Sequence, residues 1–164
     1  MIDETGYRPN VGIILCGQDD RVLWARRSGR NGWQFPQGGI RLHETPEQAL
    51  FRELHEEVGL SPEHVEVLGR TRRWLRYEIP KSLRKSTSLR AFKGQKQVWF
   101  LLRLLGSEEN VRLDLSRNPE FDKWCWIDYW SALENIIEFK REVYRQALAE
   151  LEPLLGARTS PTSC

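Results

Sequence analysis

The chain has little sulfur and no long apolar run. Its three cysteines, Cys16, Cys125 and Cys164, are odd in number and widely spaced. That spacing fits neither a disulfide framework nor a zinc site, and a reducing cytoplasm is the expected home. Cys16 and Cys125 lie in apolar, strand-like runs and are expected as core thiols, with Cys164 exposed at the terminus. No stretch of 18 apolar residues is present, which excludes a membrane-spanning helix. Met1 to Asn10 is polar and lacks the apolar segment of a secretory signal. There are no internal repeats. A length of 164 residues suits one domain with a real core, expected over residues 1–155, with 156–164 as a disordered tail.

Net charge is only +2 but unevenly spread. From Arg70 to Arg103 there are eleven Lys or Arg and one acid, Glu78. A basic segment facing a carboxylate centre suits a polyanionic, phosphate-rich substrate. Seven tryptophans is a high count for this length. Most fall in strand-like runs, where core packing is the default, and a subset is available to stack on bases.

Hydrophobic patterning alternates between short runs and helical stripes. Residues 11–16 read as a buried strand, 18–20 as a turn and 21–27 as its hairpin partner. Residues 33–37 are extended, because Pro36 disfavours helix in its predecessor. A helix is expected over 46–58 and one or two strands over 65–77. A basic loop follows over 81–93, then a central strand over 97–105 and an irregular connection over 107–119. Residues 123–127 read as a short strand and 129–136 as a short helix. A long helix over 138–155 carries Phe139, Val143, Ala147 and Leu151 on one stripe. Strands flanking a helix, then more strands and a closing helix, predict an α/β fold with a mixed sheet between helices.

The helix at 46–58 carries the chemistry. Thr45 can cap it, Pro46 suits its first position and Gln48 completes a capping box. Gly59 is the expected stop. Leu50, Leu54 and Val58 form the stripe that docks on a core. Glu53, Glu56 and Glu57 sit at i, i+3 and i+4 and share one face, where like charges repel by roughly 0.2–0.5 kcal/mol per pair. A hard divalent cation offsets that repulsion, since Mg2+ takes carboxylate and phosphate oxygens. Arg52 lies four residues before Glu56 and is placed to steer it. Glu44, just upstream of the cap, is a candidate for supporting the site or its metals.

The run from Gly38-Gly39 through Glu44 and Arg52-Glu53 to Glu56-Glu57-Val58-Gly59-Leu60 resembles the Nudix box at every fixed position, G-x5-E-x7-R-E-U-x-E-E-x-G-U with U apolar. The resemblance implies a Nudix hydrolase, acting on a diphosphate linked to another group, and an α/β/α sandwich. Further segments are similar to one branch of that family: Gly6-Tyr7-Arg8-Pro9-Asn10, Trp33-Gln34-Phe35-Pro36-Gln37, Trp74-Leu75-Arg76-Tyr77, Gly94-Gln95-Lys96-Gln97 and Pro119-Glu120-Phe121-Asp122. That branch holds RNA 5′-pyrophosphohydrolases and dinucleoside polyphosphate hydrolases, and the likeness runs from Met1 to about Leu151.

By position, the resemblance implies that Glu53, Glu56 and Glu57 bind Mg2+, with Mn2+ or another divalent ion as alternatives. Glu120 completes the metal site from a loop, and a backbone carbonyl near Gln37–Gly38 assists. Glu53 is the candidate general base. Arg52 joins Glu53, Glu56 and Glu57 as a candidate catalytic residue, and Gly38 and Gly39 are candidate substrate contacts. Arg8 and Arg27 contact phosphate or stack on a base. Tyr77 and Gln95 lie near the polyphosphate, Tyr77 donating through its hydroxyl. Phe139 and Lys140 hold the nucleobase.

The implied substrates are RNA with a 5′-triphosphate or 5′-diphosphate end, or a diadenosine tetra- or pentaphosphate. The basic 70–103 stretch favours RNA. Water attack on a diphosphate phosphorus would leave a 5′-monophosphate end and release pyrophosphate, or phosphate in steps. A non-catalytic Nudix module binding RNA or protein is disfavoured, because Glu44, Glu53, Glu56, Glu57 and Glu120 are all present. A monomer or weak oligomer is expected, with room for a protein activator. Relatives often extend into a longer basic tail; here Arg158 is the only charge after Glu152.

Overall fold

A computed structural model describes residues 2–84 and 92–156. The sheet is built on two long strands, β1 (Tyr7–Cys16) and β7 (Gly94–Leu104), paired in parallel from Tyr7–Gly94 to Cys16–Arg103. Both are central, so their residues are buried on two faces and read as continuous apolar runs rather than alternating ones. Side chains still alternate. Val11, Ile13, Leu15, Val98, Phe100 and Leu102 enter one core layer; Ile14, Cys16, Trp99 and Leu101 enter the other.

The remaining strands are β2 (Val22–Arg27), β3 (Trp33–Gln34), β4 (Gln37–Gly39), β5 (Val65–Arg70), β6 (Leu75–Glu78) and β8 (Phe121–Ile127). The order is β3-β2-β1-β7-β5, with β4 beside β1, β6 beside β7 and β8 beside β2. All pairings except β1 with β7 are antiparallel, which gives the expected mixed sheet.

Helix α1 (Pro46–Glu53) covers the first face. Its capping box forms as predicted: Gln48 N–H donates to Thr45 Oγ1 at 3.1 Å, and Thr45 N–H to Gln48 Oε1 at 2.9 Å. Leu50, Leu54 and Val58 are buried in the layer beneath. The other face is covered by α2 (Ala132–Asn135) and α3 (Glu138–Leu151), through Ala132, Val143, Tyr144, Ala147, Leu148 and Leu151. Tyr144 anchors an aromatic cluster there: its ring stacks on Phe35 at 5.0 Å and meets Trp99 edge-on at 5.2 Å.

Four expectations are corrected. The box helix is α only to Glu53; Leu54–Val58 is one wide π-helical turn closed by Gly59 at φ +77°. β2 is not a full hairpin partner of β1: the two pair only at Cys16–Val22, and β2 runs instead along β8. β1 thereby frees its Asn10–Gly12 edge for β4. β1 and β7 also start earlier than their apolar runs, at Tyr7 and Gly94. Finally, Cys125 is exposed, whereas Cys16 is buried. On β8 it is Trp124 and Trp126 that pack against the α1-side layer, so Cys125 takes the opposite phase at the sheet margin. Most of the 81–93 loop, at residues 85–91, and the tail, at 157–164, lie outside the described residues.

Candidate active site

The site forms where the π turn of the box helix meets the short strand β4. Arg52 organises it. Its guanidinium donates to both Glu44 oxygens at 2.7 and 2.8 Å, to Glu53 Oε1 at 2.7 Å and to the Gly39 carbonyl at 2.8 Å. Glu44 also accepts from Arg41 N–H at 2.9 Å, and these bonds hold its pKa down at about 2. Arg52 therefore ties the loop before α1, the helix and β4 into one unit. Its link to Glu56 is a looser 3.6 Å, so the steering expected for Glu56 goes chiefly to Glu53 and Glu44.

Glu53 is only 8% exposed. Its carboxylate lies flat against Gly38, where a Cβ would fall 2.0 Å from Glu53 Cδ. Burial raises its pKa, opposed by Arg52. Carboxylate oxygens of Glu53, Glu56 and Glu57 all lie within 4.8 Å of one another. Glu57 Oε2 is buried with no hydrogen-bond partner among the described residues. Burial first, and then the charges of Glu53, Glu120 and Glu56, push the Glu57 carboxyl up to about 7. Converging oxygens with an unpartnered buried acceptor fit a hard cation, which would supply the missing positive charge. Glu120 is exposed; its charge raises the Glu57 pKa and its backbone N–H lowers it, which puts the Pro119–Glu120 loop beside the cluster.

A second group of residues lies on the α3 side of the sheet. Lys140 is 9% exposed; its Nζ donates to Gln34 Oε1 at 3.2 Å and sits 5.8 Å from the centre of the Tyr77 ring. Burial and the Arg27 charge lower its pKa to about 8, opposed by Glu120. Phe139 is half-buried, its ring 5.7 Å from that of Tyr77, so it serves the core with one side only. Burial raises the pKa of the Tyr77 hydroxyl, opposed by the Gln37 side chain and the charges of Arg27 and Arg8. Arg8 lays its guanidinium over Gly39 and faces the Phe92 ring at 5.7 Å. Gln95 pairs with Tyr77 across the strands, and its Oε1 is buried without a partner among the described residues.

The predicted residues thus form two adjoining clusters, one acidic and one cationic–aromatic, joined through Gln37, Gly38 and Gly39. Sequence reasoning missed the amides that support them, Asn10, Gln34, Gln37 and Gln97. The available signal was amide side chains inside strands, in Trp33-Gln34-Phe35-Pro36-Gln37 and Gln95-Lys96-Gln97. The basic 70–103 segment is less uniform than its composition suggests. Arg70 pairs with Glu47, Lys96 with Asp3, and Arg103 is buried against Gly17 and Asp20. Arg76 and Lys93 both rest on the Tyr7 ring.

The chain is similar to known proteins along most of its length. A family model described as NUDIX domain matches residues 6–147. An RNA pyrophosphohydrolase of Alkalilimnicola ehrlichii is 61% identical over 155 residues, covering 94% of this chain and 86% of that protein. One from Thioalkalivibrio sulfidiphilus is 59% identical over 161 residues, covering 98% and 93%. Among solved structures, the E. coli dihydroneopterin triphosphate pyrophosphohydrolase superposes with a TM-score of 0.67 at 23% identity, covering 88% of this chain and 98% of its own. At that identity the likeness speaks to the fold. No helix among the described residues is long and apolar enough to cross a membrane.

Proposed function

The chain belongs to the NUDIX-domain family as a Nudix pyrophosphohydrolase, and from that premise we propose that it converts 5′-triphosphate RNA ends to 5′-monophosphate ends in the cytoplasm. The substrate follows from relatives at 56–61% identity that bear the name RNA pyrophosphohydrolase. The observation that carries the chemistry is the Glu53–Glu56–Glu57 cluster with its unpartnered Glu57 oxygen, adjoining a group of cationic and aromatic side chains.

In this proposal Glu53, Glu56 and Glu57 hold Mg2+, with Glu120 closing the site. A bound divalent ion neutralises phosphate oxygens and lowers the pKa of water. The protein's own groups do the rest. Glu53, locked by Arg52 and Gly38, takes the proton from the attacking water; its burial makes it a stronger base than an ordinary carboxylate. Arg8 and the Tyr77 hydroxyl stabilise negative charge on the phosphates. Arg27, Phe139 and Lys140 hold the base, by stacking and a polar contact. Phosphate oxygens offer no donor, so the empty Gln95 Oε1 suits a hydroxyl or base N–H.

The test is kcat/KM for a short 5′-triphosphate RNA with an unpaired end, measured against diadenosine tetraphosphate with Mg2+. A clear preference for RNA is expected. A preference for the dinucleotide would sink the RNA assignment while leaving the pyrophosphohydrolase chemistry intact.

A further inference from the structure

A line of hydrogen bonds with a fixed sense runs from the core to the site. It starts at Trp99, fully buried, whose indole N–H can only donate. Trp99 Nε1 donates to Gln97 Oε1 at 3.1 Å. That bond commits the Gln97 oxygen inward and turns its NH2 group the other way. Gln97 Nε2 donates to Asn10 Oδ1 at 2.8 Å and to Gln37 Oε1 at 3.3 Å. Gln97 is completely buried, so water offers it no alternative. With the Gln37 oxygen facing Gln97, the Gln37 NH2 group is the one left for the Tyr77 side, in keeping with a Gln37 side chain that lowers the Tyr77 pKa. A Tyr77 Oη that accepts from that NH2 group keeps its own proton for another partner.

We propose that Trp99, Gln97 and Gln37 form a polarity relay that holds the Tyr77 hydroxyl as a donor toward the phosphate oxygens of the substrate. The relay rests on Tyr77 being a polyphosphate contact, as proposed above. Amide oxygen and nitrogen are nearly the same size, so a Gln has two orientations of similar shape. A donor-only group at the buried end removes that degeneracy. If Gln37 were reversed, its oxygen would capture the Tyr77 proton and the hydroxyl would turn a lone pair toward phosphate. Gln37 and Gln97 are on this account positioning residues.

The experiment is a set of double-mutant cycles, reading kcat/KM on 5′-triphosphate RNA with folding checked by thermal melts. Tyr77→Phe alone should lower kcat/KM by about ten- to a hundredfold, the range for one hydrogen bond to a charged group. Gln37→Glu keeps an acceptor for Gln97 but presents Tyr77 with an acceptor, so adding Tyr77→Phe to it should have almost no further effect. In Gln37→Met nothing captures the proton, and Tyr77→Phe should cost its full factor. Gln97→Glu touches neither Tyr77 nor substrate. Its carboxylate draws the Gln37 NH2 group inward, so it too should erase the Tyr77→Phe penalty.

A Tyr77→Phe penalty that is equal in wild type, Gln37→Glu and Gln97→Glu overturns the relay and leaves Tyr77 in the site. Erasure of the penalty in Gln37→Met as well as in Gln37→Glu also overturns it, because the sense of the bond would then be irrelevant. Wild-type kcat/KM in Tyr77→Phe removes the phosphate contact itself, and the relay with it.

Discussion

Replacing Gly38 with alanine puts one methyl group where the Glu53 carboxylate now lies. The Cβ would stand 2.0 Å from Glu53 Cδ and 2.3 Å from each carboxylate oxygen. Ordinary contact begins near 3.4 Å, so the carboxylate must retreat by about 1.4 Å in a close-packed setting. Glu53 has no free path: Arg52 holds Oε1 at 2.7 Å, and Leu54 and Leu50 lock its helix into the core. Overpacking of this kind destabilises by about 1–3 kcal/mol. A displacement near 1 Å at a reacting group can lower turnover by roughly a hundredfold. Gly39→Ala is the internal comparison. Its Cβ would meet Arg8 at 2.6 Å, but at the tip of a flexible, exposed side chain that can swing away. The assay is kcat/KM on triphosphate RNA, with a thermal melt to separate unfolding from inactivation. Gly38→Ala should lose about a hundredfold, and Gly39→Ala only a few-fold, mainly in KM. A folded Gly38→Ala protein with wild-type kcat/KM would refute the placement of Glu53 against β4 as a requirement for turnover.

Arg52→Lys keeps the charge but cannot span Glu44, Glu53 and Gly39 together; a loss of about 2 kcal/mol in stability and a large fall in kcat are expected, and an unchanged Tm would contradict the clamp. The Glu57 carboxyl is pushed up to about 7 in the ion-free protein, so it is protonated below that pH and must ionise to hold a cation. Mg2+ affinity by calorimetry should thus be about tenfold weaker at pH 6 than at pH 8, with proton release on binding, and a flat profile would count against Glu57 as a ligand. The same raised pKa means that ion-free stability declines as pH climbs from the ordinary carboxylate range through about 7, and that Mg2+ offsets the decline. Tyr144→Phe leaves the buried Phe35 N–H without its acceptor, now at 3.1 Å. Denaturant melts should show a loss of about 1–3 kcal/mol, while kcat/KM of the folded fraction stays near wild type.

The fold was legible wherever burial sets the sequence pattern. The capping box at Thr45 and Gln48, the stripe Leu50–Leu54–Val58 and the stripe Val143–Ala147–Leu151 all appear as their periodicity predicts. The carboxylates at i, i+3 and i+4 converge as their spacing requires. The π turn at Leu54–Val58 was not legible, since widening by one residue leaves a periodicity almost unchanged over five residues. Nor was the splitting of β1 from β2. A hairpin signal reports local turn chemistry, whereas the competing partner of β2 is β8, about a hundred residues on, whose Trp124 and Trp126 supply packing that no local window contains.

The strand residues that apolar counting passed over are the ones that build the proposed substrate side of the site. Tyr7 to Asn10 and Gly94 to Gln97 are as fully paired as the apolar halves of the same strands. Their side chains do not read as strand because several are polar amides: Asn10, Gln95 and Gln97 project on the α3 side, together with Tyr77 on the neighbouring strand. Burying those amides is tolerable only if each oxygen and nitrogen finds a partner. Asn10, Gln97 and Gln37 satisfy one another, with Trp99 closing the line at the core end. Among the described residues, buried polar side-chain atoms without a hydrogen-bond partner occur on three side chains: Gln95 Oε1 and Glu57 Oε2 sit at the two places proposed for the ligand, and Arg103 Nε and Nη2 lie apart, beside Gly17 and Asp20. A buried acceptor left empty carries a penalty of about 1–3 kcal/mol. Where its neighbours are otherwise satisfied, that deficit marks the positions that gain most when substrate and cation arrive.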